Sequence, residues 1–178
     1  MPQTTKLDLG NLAVVHYPDP RLRQPCEPVA VFDESLAALA DRMIELMVQN
    51  KGVGLAAPQV GVLKRLIVVS PTGQAADAMA LVNGVIRDRE GNVEAEEGCL
   101  SLPGVNVRVR RAKRCRLEAF DLAGNPLELE GEDLLARIWQ HETDHLDGVL
   151  IIDRMGPADR MAVRKTLRAL EEGHTGTT

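Results

Sequence analysis

At 178 residues the chain has the length of one domain, and 44% hydrophobic against 26% charged residues is the balance of a globular protein, not a disordered one. A net charge of −5 and an aromatic content of 2% argue against a general nucleic-acid binder, which needs positive charge and stacking surfaces. Cys26, Cys99 and Cys115 are too few and too scattered for a disulfide framework, and no apolar run approaches the ~20 residues of a bilayer span. Met1 to Val15 carries no leader-like apolar stretch, so the expectation is a cytoplasmic protein with no membrane contact and no disulfide partner.

The opening segment holds Pro2, Pro18, Pro20, Pro25 and Pro28 and is expected to be an extended arm in which no helix starts. Asp33 is a candidate N-cap. Behind it Leu36, Leu39, Ala40, Met43, Ile44 and Met47 recur at helical spacing until Gly52 offers a stop. Strands are expected over Leu66 to Ser70, Ala80 to Asn83, Val105 to Arg110 and Arg114 to Phe120, with turns at Pro71-Thr72-Gly73 and Gly91-Asn92. On the last of these strands Cys115, Leu117 and Ala119 should face inward and Arg114, Arg116 and Glu118 outward. A second helix is expected from Glu132 to Leu146 and a third from Ala158 to Glu171. The pattern reads as one α+β domain over 1–178, with antiparallel or mixed strands packed around a central helix and a further helix at the C-terminus.

That central helix carries His141-Glu142-Thr143-Asp144-His145, an HExxH pattern. One helical turn separates the two histidines, so they can hold one metal ion while Glu142 stands beside them to act on water. Leu134 and Ile138 share the face and would give the ion a partly dry wall. A hydrolytic site needs a third ligand. The extended HExxHxxGxxH form fails because Ile151 stands where its third histidine belongs. Glu171 or Glu172 could serve but lie at a helix end, whereas Cys99, beside Gly98 in Glu97-Gly98-Cys99-Leu100-Ser101, offers a thiolate suited to zinc or iron. Cys115 reads as a buried core residue.

Gly52-Val53-Gly54-Leu55-Ala56-Ala57-Pro58-Gln59-Val60-Gly61 begins like a dinucleotide fingerprint, yet a helix precedes it and Pro58 breaks the helix that such a fingerprint should open. Its glycines suit a close backbone approach to a ligand, and the Gln59 amide can donate to a developing oxyanion; a plain helix end and turn is the alternative.

Taken together, GVGLAAPQVG at 52–61, EGCLS at 97–101, QHETDHLDG at 140–148 and the early PDPRLR at 18–23 resemble the peptide deformylase family in motif and order. The short C-terminal helix and the compact spacing before EGCLS resemble the shorter bacterial or organellar type. The resemblance implies that Cys99, His141 and His145 bind the metal, that Glu142 is the catalytic base, that Gln59 and the Leu100 N–H form the oxyanion hole, and that Gly54 contacts substrate. It implies hydrolysis of the formyl group from N-formylmethionyl peptides, and one divalent ion, Fe2+ physiologically, with Zn2+, Ni2+ or Co2+ able to occupy the same ligands. An apolar slot for the methionine is expected from Val53, Leu134 and Ile138, with Arg137 at its rim.

Two rival readings stay open. A zinc endopeptidase would share HExxH, and a binding protein could use the basic run Arg108, Arg110, Arg111, Lys113, Arg114 and Arg116. On the last helix Arg160, Arg164 and Arg168 form a basic stripe opposite Val163, Leu167 and Leu170; docking on the core is its first role, and weak, salt-sensitive attraction to ribosomal RNA a second that such an enzyme's substrates would suggest.

Overall fold

The structure, a computed structural model, describes residues 7–175; Pro2 and the first part of the Met1 to Val15 segment lie outside them. Asp33 caps α1, Glu34–Gln49, by accepting hydrogen bonds from the N–H groups of Ser35 and Leu36, and the apolar stripe read from the sequence is the face that α1 buries. Seven strands come next. In chain order they are β1 Gly54–Ala56, β2 Leu66–Val69, β3 Met79–Glu90, β4 Val93–Gly98, β5 Asn106–Arg111, β6 Arg114–Phe120 and β7 Pro126–Glu132. Then come α2, Asp133–Leu146, and α3, Pro157–Thr175.

β1, β2, β3, β6 and β7 form a five-stranded antiparallel sheet in the order β1-β2-β3-β6-β7, while β4 and β5 make a separate antiparallel hairpin. All strand pairs within these sheets are antiparallel, and the parallel element is a single bridge between Glu27 and Lys64. β2 is buried along its whole length because both of its faces are covered. Leu66 and Val68 join the cluster built on α1, whereas Ile67 and Val69 join Ala136, Ile138, Trp139 and Leu146 of α2. A third cluster, containing Val107 and Val109 of β5, Leu150, Ile151 and Val163, seats α3 on the hairpin.

Several expectations change. The N-terminal arm is not free of helix: one-turn 3-10 segments occur at Leu9–Asn11 and Pro20–Arg23, the second capped by Asp19 with proline at its first position, where a missing N–H costs nothing. α3 runs on to Thr175, through Gly173, and β3 is twelve residues long where four were expected. β1, β4 and β7 were not anticipated, because glycine, proline and glutamate are poor strand formers in isolation. Gly52 does not supply the left-handed residue that ends α1; Lys51, with φ 57°, does. β6 does alternate as read, Cys115, Leu117 and Ala119 being buried. The basic run is largely neutralised: Arg108 pairs with Asp159, Arg110 with Glu94, Arg111 with Glu97, and Arg116 with Asp88 and Glu128.

Candidate metal centre

α2 packs across the five-stranded sheet and presents His141 and Glu142 to a cleft of about 360 Å³, whose other walls are residues 51–54, Gln59 and 96–100, while His145 is buried one turn further along the helix. Cys99 lies just past the end of β4, so the hairpin delivers the thiol to the histidines: its Sγ lies 3.4 Å from His145 Nε2. One ligand atom from each of Cys99, His141 and His145 lies within 4.8 Å of the others. A sulfur and two imidazole nitrogens converging in this way are a donor set for a borderline divalent cation. The surroundings fit an ion as well, because Glu142 Oε2 is buried with no hydrogen-bond partner, and burial lowers His145 well below its ordinary value, holding it in the neutral form that coordinates. Glu171, the alternative third ligand, instead accepts a hydrogen bond of 2.6 Å from the Tyr17 hydroxyl.

A buried ionic chain orients the centre from behind. His141 Nδ1 meets Glu97 Oε2 at 3.0 Å, Glu97 takes both Nε and Nη2 of Arg111 at 2.7 and 2.9 Å, and Arg111 Nη1 reaches Asp144 at 2.8 Å. Arg154 closes the chain on Asp144 from the surface. Burial alone would raise the Glu97 carboxyl, but hydrogen bonds from His141 and Arg111 and the arginine charge prevail and hold it at about 2. Burial lowers His141 too, yet its contacts with Cys99 and Glu97 outweigh this and raise it, a proton that a cation would displace. With Nδ1 engaged by Glu97, Nε2 is the nitrogen left to coordinate.

Glu142 is 4% exposed, and burial pushes its carboxyl up to about 7, against the pull of His141 and Arg111. Gln59, in the turn Ala57–Val60, is anchored by the Ala56 N–H on its Oε1, which aims Nε2 at Cys99 Sγ, 3.4 Å away, and Ser101 Oγ, 3.2 Å away. Leu100 lines the same cleft beside Cys99. Gly54 lets β1 lie against the Glu142 carboxylate. Ile138 is buried in the wall, Arg137 is half-buried there, and Val53 and Leu134, at 37% and 43% exposure, stand at the mouth, so the face of α2 read as core is at Leu134 a cleft rim. Sequence reasoning missed Glu97, Arg111 and Asp144 as a unit. The signal was present: Val107, Val109 and Arg111 share the inward register of β5, and a buried arginine requires buried acids.

The sequence profile of the family described as Polypeptide deformylase matches residues 11–161. The chain belongs to the peptide deformylase family. It is similar to a peptide deformylase of Acidobacterium capsulatum, with 47% identity over 160 residues, 89% of this chain and 94% of that protein. Among solved structures it is similar to a peptide deformylase of Legionella pneumophila, with a TM-score of 0.85, 41% identity and coverage of 94% and 99% of the two chains. An Arabidopsis thaliana peptide deformylase superposes with a TM-score of 0.90 at 39% identity, covering 94% of each chain. The α+β architecture with its C-terminal helix is thus the family's own, and the family is one of metal-dependent hydrolases that remove the N-formyl group from nascent peptides.

Proposed function

We propose that this chain hydrolyses the formamide bond of N-formylmethionyl peptides, releasing formate and a free N-terminal amine, and that one domain carries the whole site. The observation behind the proposal is the convergence of Cys99, His141 and His145 beside a buried carboxylate, Glu142, and an anchored amide, Gln59. Cys99, His141 and His145 would hold one divalent ion, Fe2+ in the cell, with Zn2+, Ni2+ or Co2+ as substitutes. Such an ion, when bound, supplies Lewis acidity to water and to the formyl oxygen.

The protein's own groups do the rest. Glu142 accepts the proton of the attacking water and delivers it to the departing amine, work for which a buried carboxyl beside the ligands is well placed. Gln59 Nε2 and the Leu100 N–H donate to the oxygen on which negative charge develops; each such donor is worth about 3 kcal/mol. Gly54 keeps β1 thin enough for the substrate and Glu142 to share the cleft, while Val53, Leu134 and Ile138 offer the methionine side chain an apolar wall with Arg137 at its edge. A formyl hydrogen needs less room than an acetyl methyl, a difference a tight cleft can exploit.

Because formyl peptides arise on nascent chains, we infer a cytoplasmic enzyme whose exposed arginines on α3 attract ribosomal RNA weakly. The deciding experiment is formate release from formyl-Met-Ala-Ser by protein loaded with Fe2+ or Ni2+. Turnover supports the reading; cleavage of casein without formate release would make the chain an endopeptidase instead.

A further inference from the structure

The cleft has charged lining that neither the centre nor the fold uses. Outside the ligands, Glu97 and Glu142, its charged residues are Lys51, Glu96 and Arg137, one on each of the three segments that wall it. Two guanidinium groups approach the centre and they differ completely. Arg111 spends Nε, Nη1 and Nη2 on Glu97 and Asp144, whereas Arg137 makes no hydrogen bond or ion pair among the described residues, and its Nε is buried without a partner. Leaving such a donor dry and unpaired is costly until an acceptor arrives. Lys51 is exposed, its ammonium has no ion pair among the described residues, and it occupies the left-handed backbone region, uncommon for a lysine, directly before Gly52 and Val53.

We propose that Arg137 and Lys51 read the substrate beyond its first residue, selecting formyl peptides with an aspartate or glutamate at one of the two positions after formylmethionine. This rests on the deformylase reading above. With the formyl group at Gln59 and Glu142 and the methionine against Ile138, the residues that follow meet the rest of the cleft lining, to which the half-buried Arg137 and the exposed Lys51 both belong. Outside the centre that lining holds two cations and one anion, Glu96, and the planar fork of Arg137 matches a carboxylate in two places. Arg137 lies one turn before His141 on α2, so it is held by the same helix that fixes the chemistry.

The test measures kcat and KM of the metal-loaded enzyme, by formate release, on formyl-Met-Asp-Ala, formyl-Met-Ala-Asp, their lysine counterparts and formyl-Met-Ala-Ser. The better aspartate peptide is expected to exceed its lysine counterpart roughly tenfold in kcat/KM, carried by KM and shrinking at high salt. In Arg137→Met with Lys51→Asn, which preserves length at the first position and tolerance of the left-handed region at the second, the ratio is expected to fall to near one. Lys51→Asn alone, a change at an exposed residue, should lower it severalfold and guards against a misfolded double variant. Equal rates on the two peptide sets, or a preference that survives in the double variant, would overturn the proposal, the latter because Arg137 would then only cover apolar surface with its stem. A preference for lysine would assign selection to Glu96 and overturn it too. No turnover of any formyl peptide would remove the deformylase reading itself, a result distinct from turnover without discrimination.

Discussion

A β-carbon placed on Gly54 would lie 2.5 Å from Oε1 of Glu142, 2.8 Å from its Cδ and 2.9 Å from its Cγ. The strand at the cleft edge and the proposed base are therefore fitted to each other across α2 and β1. Gly54→Ala cannot be absorbed without moving the carboxylate, which is held on a buried helix face. The expected outcome is a fall in kcat of about a hundredfold, since a misplacement near 1 Å costs that much, with metal content unchanged because the ligands lie elsewhere. Steady-state kinetics beside metal analysis check it.

Glu142→Gln should keep the metal and lose activity by about 10²- to 10⁴-fold, because an amide can hold water by hydrogen bonds but cannot accept its proton. Metal loss in this variant would show that the carboxylate serves the ion and not the water.

Cys99→Ala, His141→Ala and His145→Ala should each lose metal affinity by orders of magnitude, measured by elemental analysis after dialysis. Cys26→Ser and Cys115→Ser should retain it. Those two thiols are buried in the core, where burial pushes Cys26 up to about 11, and their replacement by a hydroxyl is expected to cost about 1–3 kcal/mol of stability through an unsatisfied polar group.

How much the sequence disclosed depends on how local each signal is. HExxH lies within one helix, where spacing alone fixes which side chains share a face, and EGCLS brings its glycine and thiol together; both were legible. The Arg111, Glu97 and Asp144 chain joins β5, β4 and α2, and only the tertiary fold makes it visible. β4 and β7 were hidden by their glutamates. In β4, Val93, Ala95 and Glu97 face inward and the intervening acids outward, a true alternation that composition disguises.

Glu97→Gln tests that chain through stability and pH. Breaking a buried ion pair from one side typically costs 3–5 kcal/mol, and about 3 kcal/mol is expected here because Asp144 still partners Arg111. The native Glu97 carboxyl is held at about 2 against an ordinary 4.5, so its contribution is complete above about 4.5 and is lost as the pH falls toward 2. The gap in unfolding free energy between wild type and variant should accordingly widen as the pH falls toward about 6, where His141, raised in part by Glu97, is protonated, and narrow again below about 4.5 as Glu97 itself takes up a proton. Denaturant titrations of the metal-free proteins across that range read it directly. A loss of 10- to 100-fold in metal affinity should accompany it, since His141 loses the partner that orients its ring.

α3 buries Val163 and half-buries Leu167 and Leu170 on the third core cluster, and Tyr17 ties its far end through Glu171. Arg160, Arg164 and Arg168 point away from that contact, are exposed, and have no ion pair among the described residues. They succeed one another at i+4 steps, so they form a continuous cationic line on an otherwise acidic protein. A line of this kind attracts phosphate by counterion release, which weakens steeply as salt rises. Replacing the three arginines with glutamate should leave hydrolysis of a free formyl peptide unchanged, because none of the three lines the cleft, and should reduce co-sedimentation with ribosomes at low salt. Equal co-sedimentation of the two proteins would reject the RNA contact and leave α3 with its docking role alone.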